Sequence, residues 1–377
     1  REVDLSNESN LEPVIIAIWD SGIDVPIFEN QVHVNPNEKM DGKDSDGNGF
    51  VDDVHGIAFD LKSHKTEEIL YPLTSEQKEK LPEMVGMVKG LQDLQANVSS
   101  DEASELKKYM SQIKPEDVKP FIEELNLFGN YAHGTHVAGI AAAGNPKAVV
   151  LPARITFDYR MVPDPPTKED YTQFAKSAVA AVDYFKSANV KIVNMSWGDS
   201  PESVEAGLEV NGIGESAEER KKMAREIFDI GKEGLYEAIS GAPEILFITS
   251  AGNSDQDSEF YDDIPSSFEL PNILTVGAVD QAGEETGFSS FGDNVDVHAN
   301  GFEVESYIPG GKRMKMSGTS MSSPNVANLA GKLWSLEPDL SVQEVIDLIK
   351  EGCDINEDGR IILINPKVSV ELLRNKM

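Results

Sequence analysis

Three residues of this chain carry side chains that, brought together, would make a serine hydroxyl reactive: Asp20, His133 and Ser320. A serine hydroxyl is a weak nucleophile at neutral pH, so a neutral imidazole must take its proton, and a carboxylate must fix the imidazole's tautomer and balance the charge that forms. Each residue alone has a plainer reading. Asp20-Ser21-Gly22 follows the apolar run Val14 to Trp19, where an aspartate commonly forms a turn. His133 opens the run Gly134-Thr135-His136-Val137-Ala138-Gly139, whose small residues fit a tightly packed helix; a lone histidine there is commonly structural, the role expected of His136. Ser320 stands in Gly318-Thr319-Ser320-Met321-Ser322-Ser323-Pro324, where a serine commonly caps a helix whose N-terminus also offers free N–H groups and a positive dipole end.

A second dense signal lies at Asp41 to Asp53. Asp44, Asp46 and Asn48 alternate, Gly49 permits a sharp turn, Phe50 offers its carbonyl and Asp52 follows, matching the first nine positions of a calcium loop, with Asp53 directly after. His55 stands in the twelfth place, where a bidentate glutamate is expected, so the loop is not a regular EF-hand. Clustered carboxylates repel one another without a cation. A structural Ca2+ held by Asp44, Asp46, Asn48, Phe50, Asp52 and Asp53 is therefore expected.

These residues need a scaffold, and the chain supplies one in short apolar runs that alternate with helical patterns. Strands are predicted at Val14 to Trp19, Val149 to Ile155, Val190 to Met195, Ile245 to Ser250 and Ile273 to Ala278, and helices at Tyr171 to Ser187, Ala217 to Ile239, Ser320 to Ser335 and Ser341 to Lys350. That alternation predicts an α/β fold with a mostly parallel sheet, whose strand ends collect the chemistry. Residues 61–130 differ: they give no strand signal, and Leu81, Val85, Val88, Leu91 and Leu94 recur at helical spacing. A second helix is predicted to begin at Ser99 with Glu102 completing a capping box. This stretch reads as an inserted helical subdomain within a single domain spanning 1–377. Residues 201–215, with three glycines, read as a second and looser insertion.

The chain has 377 residues, 40% hydrophobic, enough to fill a large core. Its formal charge of −33 repels phosphates, which excludes nucleic acid as an expected partner, and no apolar run approaches the roughly 20 residues of a membrane span. The one cysteine, Cys353, forms no internal disulfide and reads as a half-buried structural thiol. No export signal or propeptide is recognisable ahead of the first strand, so either a mature form or one that needs no separate chaperone segment is expected.

The three blocks around Asp20, His133 and Ser320, in that chain order, resemble the catalytic blocks of the subtilases, serine endopeptidases, and the resemblance covers everything except the two insertions. It implies a three-layer subtilisin-like fold, polypeptide substrates, and a triad of Asp20, His133 and Ser320. Ser250-Ala251-Gly252-Asn253 is similar to the family's oxyanion segment, which makes Asn253 the side-chain oxyanion donor and Ala251 and Gly252 substrate-binding. Asn194-Met195-Ser196-Trp197-Gly198 resembles a substrate-binding strand, implicating Ser196, Trp197 and Gly198. The segment before Pro265 is similar to the floor of the P1 pocket, which puts Asp263, or its neighbour Asp262, where a carboxylate would favour Arg or Lys at P1; both could instead be solvated loop residues or calcium ligands. Family resemblance also implies secretion or a periplasmic or cell-surface location. An inactive relative that binds a protein partner through 61–130 is the competing expectation.

Overall fold

The computed structural model describes residues 2–258 and 260–376. Its centre is a sheet of ten strands among the described residues. In chain order they are β1 (Val14–Asp20), β2 (Ile57–Phe59), β3 (Lys65–Thr66), β4 (Ala148–Arg154), β5 (Ile192–Met195), β6 (Leu246–Ser250), β7 (Ile273–Val279) and β8 (Val297–Asn300), with β11 (Asp354–Ile355) and β12 (Ile362–Leu363) at one edge. A separate antiparallel hairpin joins β9 (Val304–Tyr307) to β10 (Arg313–Met316). The spatial order is β11-β12-β8-β7-β6-β5-β1-β4-β2-β3, and the central pairs from β8 to β4 all run parallel.

Alternation along β1 shows why it sits at the centre. Val14, Ile16 and Ile18 join the core on one face of the sheet, while Ala17 and Trp19 join the core on the other. A strand with both faces buried reads as a continuous apolar run, and helices must cover each side. One face carries α3 (Pro115–Ala142) and α7 (Thr319–Leu336), with α8 (Val342–Glu351) and α9 (Pro366–Lys376) behind them; the other carries α4 (Lys168–Ser187), α5 (Pro201–Val210) and α6 (Ala217–Ser240). The result is the expected three-layer, mostly parallel α/β fold.

All five predicted strands and four predicted helices are present, with ends displaced by a few residues, as when α4 begins at Lys168 rather than Tyr171. Three expectations are corrected. Residues 201–215 are not a loose insertion: Ser200 caps a helix by accepting a hydrogen bond from Ser203 N, with Pro201 at its first position, and α5 packs on α6. The stretch 61–130 does contain a strand, since Lys65 and Thr66 pair with β2. The helix predicted from Ser99 instead starts at Asp101, capped by Ser100, whose hydroxyl accepts from Ala103 N and donates to Asp93 at the end of α1 (Ser75–Gln95). The buried Asp93 carboxylate selects Ser100 over Ser99.

The helices α1 and α2 (Asp101–Met110) pack on each other, and α1 also packs on α3 and β10. Lys89 of α1 pairs with both Asp93 and Glu303. The third helix of this region has no break at residue 130. It runs unbroken for 28 residues and carries His133 within it.

Candidate active site

Strand β1 ends on Asp20, which is fully buried. One carboxylate oxygen, Oδ1, accepts from Ser21 N at 2.6 Å and from His133 Nδ1 at 2.8 Å. An ionised carboxylate can only accept, so the contact with Asp20 requires Nδ1 to carry the proton and leaves Nε2 with its lone pair. Burial pushes the His133 pKa down, but the Asp20 charge and its hydrogen bond outweigh that, and the net displacement is upward.

The residues around His133 bring α3 against the end of β1. A Cβ at Gly134 would lie 2.4 Å from the Gly22 carbonyl oxygen and 3.2 Å from Asp20 Oδ1, so only glycine allows this approach. Gly134 N donates to Ser21 Oγ, and Asp24 N donates to Thr135 Oγ1. The Gly22 backbone has φ of +110°, which completes the turn. His136, three residues further along the helix, is fully buried, with Nε2 donating to the Met314 carbonyl and burial lowering its pKa to about 4. That is the geometry of a neutral structural histidine.

Ser320 lies in the first turn of α7, where a backbone N–H has no intrahelical carbonyl. Its hydroxyl donates to the Ser196 carbonyl at 3.2 Å, and Ser196 Oγ donates in return to the Ser320 carbonyl at 2.9 Å. No hydrogen bond joins Ser320 to His133 among the described residues. Asn253 follows β6, and its Oδ1 accepts from both Thr319 N and Thr319 Oγ1. A backbone N–H can only donate, so the atom facing it is the oxygen, and Nδ2 is turned away from Thr319 as an available donor.

Beside Ser320 and Asn253 opens a cavity of 260 Å³, and Ser196, Trp197, Gly198, Ala251, Gly252 and Asp263 all line it. Trp197 closes one wall: it packs edge-on to Trp19 and Phe174, and its Nε1 donates to the Trp19 carbonyl. Of the two candidate acids, Asp263 lies on the cavity, with Gln256 at 3.4 Å; Asp262 instead pairs with Arg225 and Lys232 of α6. Burial raises the Asp263 pKa to about 6. A second carboxylate, which the sequence reading missed, lines the same cavity. Asp199 accepts from Tyr171 Oη at 2.6 Å and from Ser200 N at 2.8 Å, and burial pushes its pKa up as well. Asp199 and Ile264 exchange backbone hydrogen bonds, which sets Asp199 next to Asp263. Its position one residue beyond Gly198 was the signal available.

In the acidic loop the carboxylates divide into two groups. Asp44 accepts from Gly47, Asn48 and Gly49 N, and Asp52 accepts from Asp41 and Gly42 N, so both brace the loop's own turns. Asp46 and Asp53 converge with Glu38, a residue outside the sequence pattern, to within 4.8 Å. Asn48 Oδ1 accepts from Phe50 N, which turns its amide nitrogen toward Asp46 and Asp53, while the Phe50 ring packs on Phe59 and Tyr184. Asp53 is 2% exposed, and its Oδ1 has no partner. A buried carboxylate oxygen facing two further carboxylates fits a hard divalent cation.

The chain belongs to the subtilase family, whose sequence profile matches residues 12–359. It is 30% identical over 234 residues to a thermophilic serine proteinase from a Bacillus species, covering 61% of this chain and 50% of that protein. It is 27% identical over 228 residues to a thermostable alkaline protease from Halalkalibacterium halodurans, covering 60% and 54%. The chain thus spans about half the length of these curated relatives. Among solved structures, the PatG macrocyclase domain superposes with a TM-score of 0.60 at 17% identity, over 98% of this chain and 94% of that one. A lanthipeptide protease superposes at 0.56 and 14% identity, over 98% and 90%. At these identities the structural likeness concerns the fold alone. No helix among the described residues is long and apolar enough to cross a membrane.

Proposed function

We propose that this protein is a serine endopeptidase in which Ser320 attacks the peptide carbonyl, His133 accepts its proton and Asp20 steadies the imidazolium. The observation that carries the reading is the 2.8 Å contact from His133 Nδ1 to the buried Asp20, which leaves Nε2 as the base. Attack requires the Ser320 hydroxyl to exchange the Ser196 carbonyl for His133 Nε2. Asn253 Nδ2 and Ser320 N then receive the oxyanion, a neutral pair of donors already oriented before the charge develops. His133 passes its proton to the leaving amine, and water repeats the sequence on the acyl-enzyme.

The 260 Å³ cavity is read as the P1 pocket, with Asp263 and Asp199 favouring Arg or Lys. In support, among the described residues no Lys or Arg lines the cavity. Glu38, Asp46 and Asp53 would hold a calcium ion, whose part is structural: it would offset two of the three carboxylate charges and tie residue 38 to the 46–53 loop. A location outside the cytoplasm belongs to the same reading; one relative is a cell wall-associated protease of Bacillus subtilis.

The test is Ser320→Ala against a mixed peptide library, with cleavage products sequenced. Loss of hydrolysis by several orders of magnitude with an unchanged melting temperature is the expected result. Near wild-type turnover in the variant would overturn the assignment, and an inert wild type would favour the binding-protein alternative.

A further inference from the structure

The chain leaves β4 and β5 on either side of Asp20. Arg154 is the register partner of Asp20, and Ile155 N donates to the Asp20 carbonyl, so residues 155–161 emerge beside the triad. Ser21, adjacent to Asp20, shares a small cavity with Ile155, Thr156, Phe157 and Tyr159. On the other side of β1, Ser196 to Gly198 emerge from β5. A polypeptide held in front of Ser320 between these two segments would bind by pairing with their backbone groups.

Along 155–161, two of those groups are already engaged by the N-terminal half of α3. Asn126 Nδ2 donates to the Tyr159 carbonyl at 3.2 Å, and Met161 N donates to Glu123 Oε1 at 3.0 Å. Between them Arg160 N donates to Asp158 Oδ1, so three consecutive residues, 159 to 161, each commit a backbone group to one of the protein's own side chains. Closer to Asp20, the N–H and C=O groups of Phe157 make no hydrogen bond among the described residues.

We infer that Asn126 and Glu123 are specificity-determining residues that terminate the substrate-binding edge formed by residues 155–161. This rests on the peptidase reading above. Substrate pairing reaches the part of the edge near Ser21 and stops where the two side chains begin, so recognition is short on that side of the scissile bond. The inserted helices thereby act on substrate length.

A nested series of peptides sharing one scissile bond, lengthened one residue at a time on either side, tests this in two ways. For wild type and the Asn126→Ala/Glu123→Ala variant, kcat/KM is measured for each length; in the Ser320→Ala background, Kd for the same peptides is measured by calorimetry. The wild type should level off on one side, while the double variant should gain on the order of fivefold more at the length that reaches residues 159–161. Superimposable length profiles in both measurements would overturn the inference. If the double variant fails to fold by circular dichroism, Asn126→Asp, which keeps the size but loses the donor, takes its place with the same expected gain in Kd. Peptides that bind with the expected length profile but are never cleaved would sink the catalytic reading and leave the edge assignment standing.

Discussion

Thr319 grips Asn253 twice, with its backbone N–H at 2.8 Å and its hydroxyl at 2.9 Å from the same amide oxygen. The residue before the proposed nucleophile thus orients the proposed oxyanion donor. Removing that donor with Asn253→Leu should lower kcat by about 10²- to 10³-fold with little change in KM, because the oxygen it serves carries charge only in the transition state. Thr319→Val keeps the backbone contact and loses the hydroxyl. It should cost roughly tenfold in kcat, the equivalent of one modest hydrogen bond. Steady-state kinetics on one peptide substrate separate the two, and a rise in KM alone would argue against the role.

The raised His133 pKa predicts the acid limb of activity. A base must be neutral, so kcat/KM should fall as pH drops through an apparent value above the ordinary 6.5 or so of histidine. The ion pair stabilises the fold with the opposite dependence: its contribution is complete below the unfolded pKa and is lost as pH rises through the folded one. In Asp20→Asn, burial of His133 remains while the charge is gone. The limb should therefore move to lower pH while kcat drops by about 10⁴-fold. A limb that stays in place would show that another group sets it.

If Asp263 lies in the P1 pocket as proposed, the burial that lifts its pKa to about 6 should make P1 choice depend on pH. The carboxylate attracts a P1 arginine only when ionised, so the ratio of kcat/KM for matched Arg and Phe peptides should climb as pH rises through about 6. Asp263→Ser should flatten that dependence, and Asp199→Asn should weaken it. A ratio independent of pH in the wild type would remove Asp263 from the pocket floor.

Calcium should raise the melting temperature, with about 2.7 kcal/mol of stabilisation at free ion 100-fold above the dissociation constant. Asp53→Asn should abolish the response to a chelator. Asp44→Asn should lower the melting temperature yet preserve the response, since Asp44 braces turns and lies outside the converging set. Scanning calorimetry with and without calcium distinguishes them; a Asp53→Asn protein that still responds would move the site.

The parts of this molecule that were legible in its sequence are those in which one residue type is dictated locally. Gly134 and Gly22 are fixed by backbone contact, and the β1 run by burial on both faces. What was not legible depends on meetings between distant segments. Glu38 reaches the acidic loop from outside its repeat, and Asp199 enters the cavity through a bridge to Ile264 that no local pattern encodes. The cap at Ser100 rather than Ser99 was likewise decided by Asp93 of the preceding helix. The helical period read at Leu81 to Leu94 falls within α1, but nothing in that period reveals that the last helix of the region continues into the His133 block.

That continuity ties the two regions in rotational phase. Loops absorb changes of length, whereas deleting one residue from a helix turns everything on one side by about 100° relative to the other. A single deletion between Phe121 and Ala132 should therefore swing α1 and α2 around the imidazole and cost both stability and activity, while one in the 111–114 connection should be tolerated far better. Related chains that keep this helix unbroken would then vary the length of the region at that connection and conserve the spacing from Pro115 to His133.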